Sequence, residues 1–169
     1  MTKIGRKAVV GFSLVTAMAL GGCTTDVTRP TEGPLDVSLV EVKEHSYAVE
    51  ARIAHRLPGF SDDRFQPSDG GSTLGCSGGG LTWASSALLT VDDDPDFAEI
   101  ERVVRDEFAD DEAFRVEMSE TSGGDPRLLV LGRHGEDHSV EMYMGYLKIY
   151  SFSPCFIHDP ERDGWQWEL

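Results

Sequence analysis

The chain has 169 residues, 30 of them Asp or Glu against 15 Lys or Arg, for a formal net charge of -15, with 40% hydrophobic residues and only three cysteines. Its basic residues are outnumbered and scattered, so the sequence excludes nucleic acid as a partner, because phosphate contact needs a basic patch. Anionic lipid headgroups are disfavoured for the same reason, and the acidity suits a domain kept soluble by its own charge.

The amino terminus combines Lys3, Arg6 and Lys7 with an apolar run from Ala8 to Leu20 and closes on Leu20-Gly21-Gly22-Cys23. That order is a secretory signal followed by a lipobox. The run is about 13 residues, short of the roughly 20 that a helix needs to cross a bilayer, so it reads as a signal and not as a permanent span. The expectation is that residues 1–22 are removed and that Cys23 carries a diacylglycerol thioether. The new amino terminus would be acylated as well. Two or three chains hold where one lets go, since each buried CH₂ contributes about 0.8 kcal/mol. An ordinary signal peptide with Cys23 incidental is the plainer alternative, disfavoured by the order of the segments. Loss of the three basic residues takes the formal charge from -15 to -18. Residues 23–34, rich in Thr and holding Pro30 and Pro34, read as a tether from the outer face of a membrane to the domain.

From Leu35 to about Leu57, the residues Leu35, Leu39, Val42, Val49, Ile53 and Leu57 recur at helical spacing, and Pro58-Gly59 stops the helix. Ser61 to Gly80, dense in Gly, Ser and Asp, reads as one irregular loop. Leu81 to Val91 reads as a strand. Asp94-Pro95 then opens a second helix to about Asp110, with Phe97, Ile100, Val103, Val104 and Phe108 on one face. Strands follow at Ala113–Glu120, Arg127–Gly132, His138–Met144 and Tyr146–Ser153, separated by Gly-bearing turns. The expected architecture for residues 35–158 is a single α+β domain. Two amphipathic helices pack on one face of a four- to five-stranded, mainly antiparallel sheet. Residues 159–169 read as a polar tail.

Apart from Cys23, only Cys76 and Cys155 remain. In an oxidising compartment they are expected to pair, closing a loop of roughly 80 residues for about 4 kcal/mol on a chain-entropy argument. A reactive thiol or metal ligation are the alternatives. Neither has support, because neither cysteine has a second cysteine or a histidine at metal spacing.

This layout resembles the small actinobacterial lipoproteins of the LppA type. The resemblance rests on the helix ending Leu57-Pro58-Gly59, the loop Cys76-Ser77-Gly78-Gly79, the helix opening near Pro95, the Gly-rich hairpins and the closing Ser151-Phe152-Ser153-Pro154-Cys155. It implies an α+β fold with the disulfide and no established catalytic activity.

Candidate chemistry is sparse. Asp92-Asp93-Asp94-Pro95-Asp96 has the carboxylates of a calcium loop, but Phe97 stands where the sharp turn needs glycine and Val103 where the closing acid would fall. A strand end leading into a capped helix explains the run better. His134 and His138, with Glu136 or Asp137 between them, could offer zinc ligands, although a spacing of four has meaning only on a helix and Gly135 argues for a hairpin. Asp69-Gly70-Gly71-Ser72 and Gly78-Gly79-Gly80 lack the Gly-Lys-Ser/Thr of a phosphate cradle. Nucleophilic catalysis would need a serine beside a base, and position along the chain alone brings no such pair together. Tyr143, Tyr146, Tyr150 and Phe152 could line a ligand groove, although on strands such residues are more often half core and half sheet surface. The expectation is a lipid-anchored envelope module that binds an envelope protein or an apolar ligand through those tyrosines, with no cofactor. A hydrolase or metal-dependent enzyme using His134 and His138, and an apolar-ligand carrier, are the alternatives.

Overall fold

The structure is a computed structural model that describes residues 33–68 and 70–164. The signal segment, Cys23 and residues 165–169 lie outside the described residues. Among those described, the order is α1 (Leu39–Ala54), β1 (Phe65–Pro67), β2 (Ser72–Gly75), β3 (Leu81–Thr90), α2 (Phe97–Glu107), β4 (Phe114–Glu120), β5 (Pro126–Gly132), β6 (Asp137–Tyr143), β7 (Tyr146–Phe152) and α3 (Pro160–Asp163).

The fold is α+β, as expected, but it has more strands than the sequence indicated. The sheet runs β1-β3-β7-β6-β5-β4, with β2 also paired to β3, and every strand pair is antiparallel. β1 and β2 lie in line along one edge of β3, Phe65–Pro67 opposite Leu89–Ala87 and Ser72–Gly75 opposite Ala84–Leu81. They occupy the segment expected to be an irregular loop. Such short strands owe their existence to β3 and not to any pattern of their own. Gly71 is required there, because a side chain would collide with the Ala84 carbonyl and the Trp83 ring.

α1 begins at Leu39 rather than Leu35. Ser38 caps it, accepting from the Glu41 amide at 3.2 Å while Glu41 accepts from the Ser38 amide at 2.8 Å, a reciprocal capping box. Likewise Asp96, not Asp94, caps α2 through the Ala98 amide. α2 carries the chain from β3 to the far edge of the sheet, and β4 to β7 return as a meander. The last hairpin turns on Met144 (φ 50°) and Gly145 (φ 86°), both left-handed, as a two-residue connection between twisted strands requires. β6 therefore ends at Tyr143, one residue early.

Both long helices cover the same face of the sheet, α1 over β3 and β7 and α2 over β4 and β5. Between helices and sheet lies the main core, including Ile53, Leu89, Ile100, Leu128, Val140 and Ile149. A second, smaller cluster of Leu39, Val42, Trp83 and Phe156 sits where the chain enters the domain. There Leu35 is stitched into the sheet's end: its amide donates to Cys155 (2.8 Å) and its carbonyl accepts from Ile157 (2.8 Å), while Phe156 pairs with Leu81.

Cys76 and Cys155, 79 residues apart, form a disulfide at that same end. The expected polar tail is partly structured instead. Asp159 caps α3, Asp163 accepts from the Leu39 amide at 2.9 Å, and Arg162 reaches Asp36 and the Val37 carbonyl. No helix among the described residues is long and apolar enough to cross a membrane.

Candidate functional site

Strand alternation decides what each face of the sheet displays. Along β7, Leu147, Ile149 and Ser151 are buried under the helices, so Tyr146, Lys148, Tyr150 and Phe152 point the other way. The register sets Tyr143 opposite Tyr146 and Glu141 opposite Lys148. The three tyrosines singled out in the sequence are thus brought together on the helix-free face. Tyr143 is 43% exposed and Tyr146 and Phe152 are each 38% exposed. Lys148 links them, its ammonium 4.1 Å from the centre of the Tyr150 ring and 4.6 Å from that of Tyr143. Arg115, Arg127 and Lys148 on this face are matched by Glu117, Asp137 and Glu141, so it is close to neutral in a strongly acidic chain.

The covered face breaks the pattern in the opposite sense, since a polar seam runs beneath α1. Ser85 Oγ donates to Glu50 Oε1 at 2.5 Å, and Ser151 Oγ lies 2.8 Å from His138 Nδ1. Glu50 is 1% exposed, and Ser46, His138 and Ser151 are fully buried. Burial raises the Glu50 carboxyl above its usual range, against hydrogen bonds from Ser85 and Ser151. Burial, reinforced by the charge of His45, pushes His138 down to about 4, so burial disfavours the charged form of both groups. Among the described residues, Ser46 Oγ, Glu50 Oε2 and His138 Nε2 have no hydrogen-bond partner. A serine beside a histidine is the start of a nucleophilic pair, and the two residues lie 13 positions apart on adjacent strands. Here neither side chain is reachable by a substrate, so the pair is part of the interior.

His134 and His138 are not presented together. His134 is exposed in the β5–β6 turn while His138 faces the core, and among the described residues no three His, Cys, Asp or Glu side chains could hold a metal ion. Of the acidic run, Asp92 is bound in a bidentate pair by Arg64 (2.7 and 3.1 Å) and Asp96 is the helix cap. Gly80 is where the chain passes against the disulfide: a Cβ there would meet the Phe156 carbonyl at 2.6 Å and Cys155 Sγ at 2.8 Å.

A pocket of about 270 Å³ opens between the start of α1, the β5–β6 turn and the segment around Leu35. Leu35, Val37, Val42 and Pro154 give it apolar walls, and Glu41, His45, His134 and Glu136 supply polar groups. Glu136 is 3% exposed. It accepts from the His134 amide at 3.1 Å, and its other oxygen lies 3.8 Å from His45 Nε2. Burial works against ionisation. The nearby His45 imidazole and its own backbone amide, together with the charges of His45 and His134, nevertheless hold this carboxyl below the usual range. Gly132 makes the arrangement feasible, because any side chain there would overlap the Glu136 carboxylate. Sequence reasoning missed this pocket, whose walls come from three distant segments.

No protein-family model and no curated protein matches the chain. Among solved structures, it is similar to the crystal structure of a DUF4853 family protein from Actinomyces odontolyticus. The TM-score is 0.54 at 12% identity, over 76% of this chain and 73% of that one. At that identity the likeness concerns the fold alone.

Proposed function

We propose that the chain is an exported lipoprotein, anchored through Cys23 at the outer face of a membrane, whose domain docks another envelope protein on the helix-free face of its sheet. The anchoring half rests on sequence: the basic residues, the short apolar run, the small residues and the cysteine in lipobox order, together with the resemblance to LppA-type lipoproteins. The docking half is carried by one observation, the gathering of Tyr143, Tyr146 and Tyr150 near Lys148, with Phe152 further along the same strand, on a face that neither long helix covers.

Aromatic residues are enriched at protein interfaces because a large apolar ring carries a polar handle. The matched charges on that face allow a neutral or acidic protein surface to approach without the repulsion that the rest of the molecule would impose. The occupant is therefore a protein with an apolar docking centre, not nucleic acid or a lipid surface. Chemical crosslinking in intact cells, comparing wild type with a Tyr143→Ala/Tyr146→Ala/Tyr150→Ala variant, tests this. The wild type should give a discrete adduct that the variant loses, and an adduct retained by the variant would refute docking on this face. For the anchor, palmitate labelling and membrane fractionation should both be lost in Cys23→Ser.

A further inference from the structure

The pocket beside His45 lies on the opposite side of the sheet from the tyrosines and is independent of them. Its walls are mostly apolar, and at 270 Å³ it falls just under the ~300–1,000 Å³ of sites for drug-sized ligands, which sets its occupant at fragment size. Two carboxylates reach it, and both are held in the charged form. Glu41 lies below the usual carboxylate range through its hydrogen bonds with the Ser38 backbone and side chain. Glu136 does so while almost wholly buried. A buried anion in an apolar wall is costly unless something compensates it. One Glu136 oxygen already accepts from the His134 amide at 3.1 Å, while the other faces the His45 imidazole at 3.8 Å, beyond ordinary N–H···O reach of about 3.2 Å. A carboxylate offers about four acceptor positions, so a further donor entering the pocket can be accommodated.

We propose that this pocket binds a small amphiphile with a protonated amine, its apolar body against Val37, Val42 and Pro154 and its ammonium on Glu136. An ammonium supplies both the charge and the donors that the carboxylate can accept, whereas a ligand carboxylate would face two like charges. A neutral alcohol would donate one hydrogen bond without the charge.

Three probes of one shape separate these cases: 2-phenylethylamine, 2-phenylethanol and phenylacetate, titrated calorimetrically into the purified protein at neutral pH. The expected order is amine, then alcohol by about tenfold or more, then carboxylate weakest. Glu136→Gln should erase the amine's advantage. Val37→Trp, which fills the pocket and leaves both carboxylates in place, should abolish binding of all three. An amine that binds no better than the alcohol, no binding of the amine at all, or unchanged binding in Val37→Trp would overturn the proposal. The tyrosine variant, which leaves this pocket intact, should bind the amine as wild type does, so the two readings fail separately.

Discussion

The two faces of the sheet depart from ordinary alternation in opposite directions. Beneath the helices, where side chains should be apolar, a line of serines, Glu50 and His138 is buried; on the open face, where they should be polar, aromatic rings gather. The covered face is enclosed by hydrocarbon on both sides of its polar seam, so the charged forms of Glu50 and His138 are disfavoured and the seam is held by the Ser85–Glu50 and Ser151–His138 hydrogen bonds. The open face keeps its aromatic rings only half covered, and Lys148 is the main group that organises them. Energetic weight therefore belongs to the first face and accessible chemistry to the second.

Adjacent residues of β7 give the sharpest test. Ile149→Ala, at a position with no exposure, should cost about 2–5 kcal/mol through lost burial and the cavity left behind. Tyr150→Ala, one residue along and facing outward, should cost less than about 1 kcal/mol, because surface changes rarely do more. Urea titrations of both variants decide it, and equal losses would mean that the open face is covered by something.

Next in size is the acid response of the seam. His138 is held at about 4 against an ordinary value of 6.5. Its contribution is complete above pH 6.5 and is lost as pH falls through 4, a loss on the order of 3 kcal/mol at 1.36 kcal/mol per unit. Unfolding free energies at pH 7, 5 and 4 should trace this slope, and His138→Gln should flatten it.

Glu50 has the opposite sign. Its raised value means a stabilising contribution present below its ordinary pKa of 4.5 and lost as pH rises through the raised one. Glu50→Gln should therefore stabilise the protein by about 1 kcal/mol at pH 7.5 and have little effect at pH 4, read as a shift in Tm. A variant less stable at both values would show that the carboxyl is needed for its hydrogen bonds alone. The smallest effect belongs to the open face: Lys148→Gln should cost about 0.5–1 kcal/mol, the size of an exposed cation–π contact, and should loosen the tyrosines without altering the pH profile.

Much of this was legible from residue pattern. The long strands, both main helices and the pairing of Cys76 with Cys155 follow from periodicity, turn chemistry and cysteine count. β1 and β2 were not legible, because a few residues such as Phe65-Gln66-Pro67 become a strand only when β3 lies beside them. The seam left a trace: Ser46 and Glu50 stand inside the stripe Leu39, Val42, Val49 and Ile53, at positions where only apolar residues were sought. His138 sits in phase with Val140 on the buried side of β6, and alternation read along that strand places it there. The pocket had no trace at all, since Leu35, His45 and Glu136 meet only through folding.

Leu35 hydrogen-bonds to Cys155 and Ile157, and Cys155, three residues beyond the end of β7, is cross-linked to Cys76. If the domain is tethered at its amino-terminal end as proposed, mechanical load would enter here. A pull from the tether enters at Leu35, crosses to Cys155, and divides between the disulfide and the short segment Ser153-Pro154 that leads into the tyrosine-bearing strand. Tension between an anchor and a partner held on that strand would thus reach β7, an interior strand flanked by β3 and β6, through these hydrogen bonds as well as along the covalent path into α1.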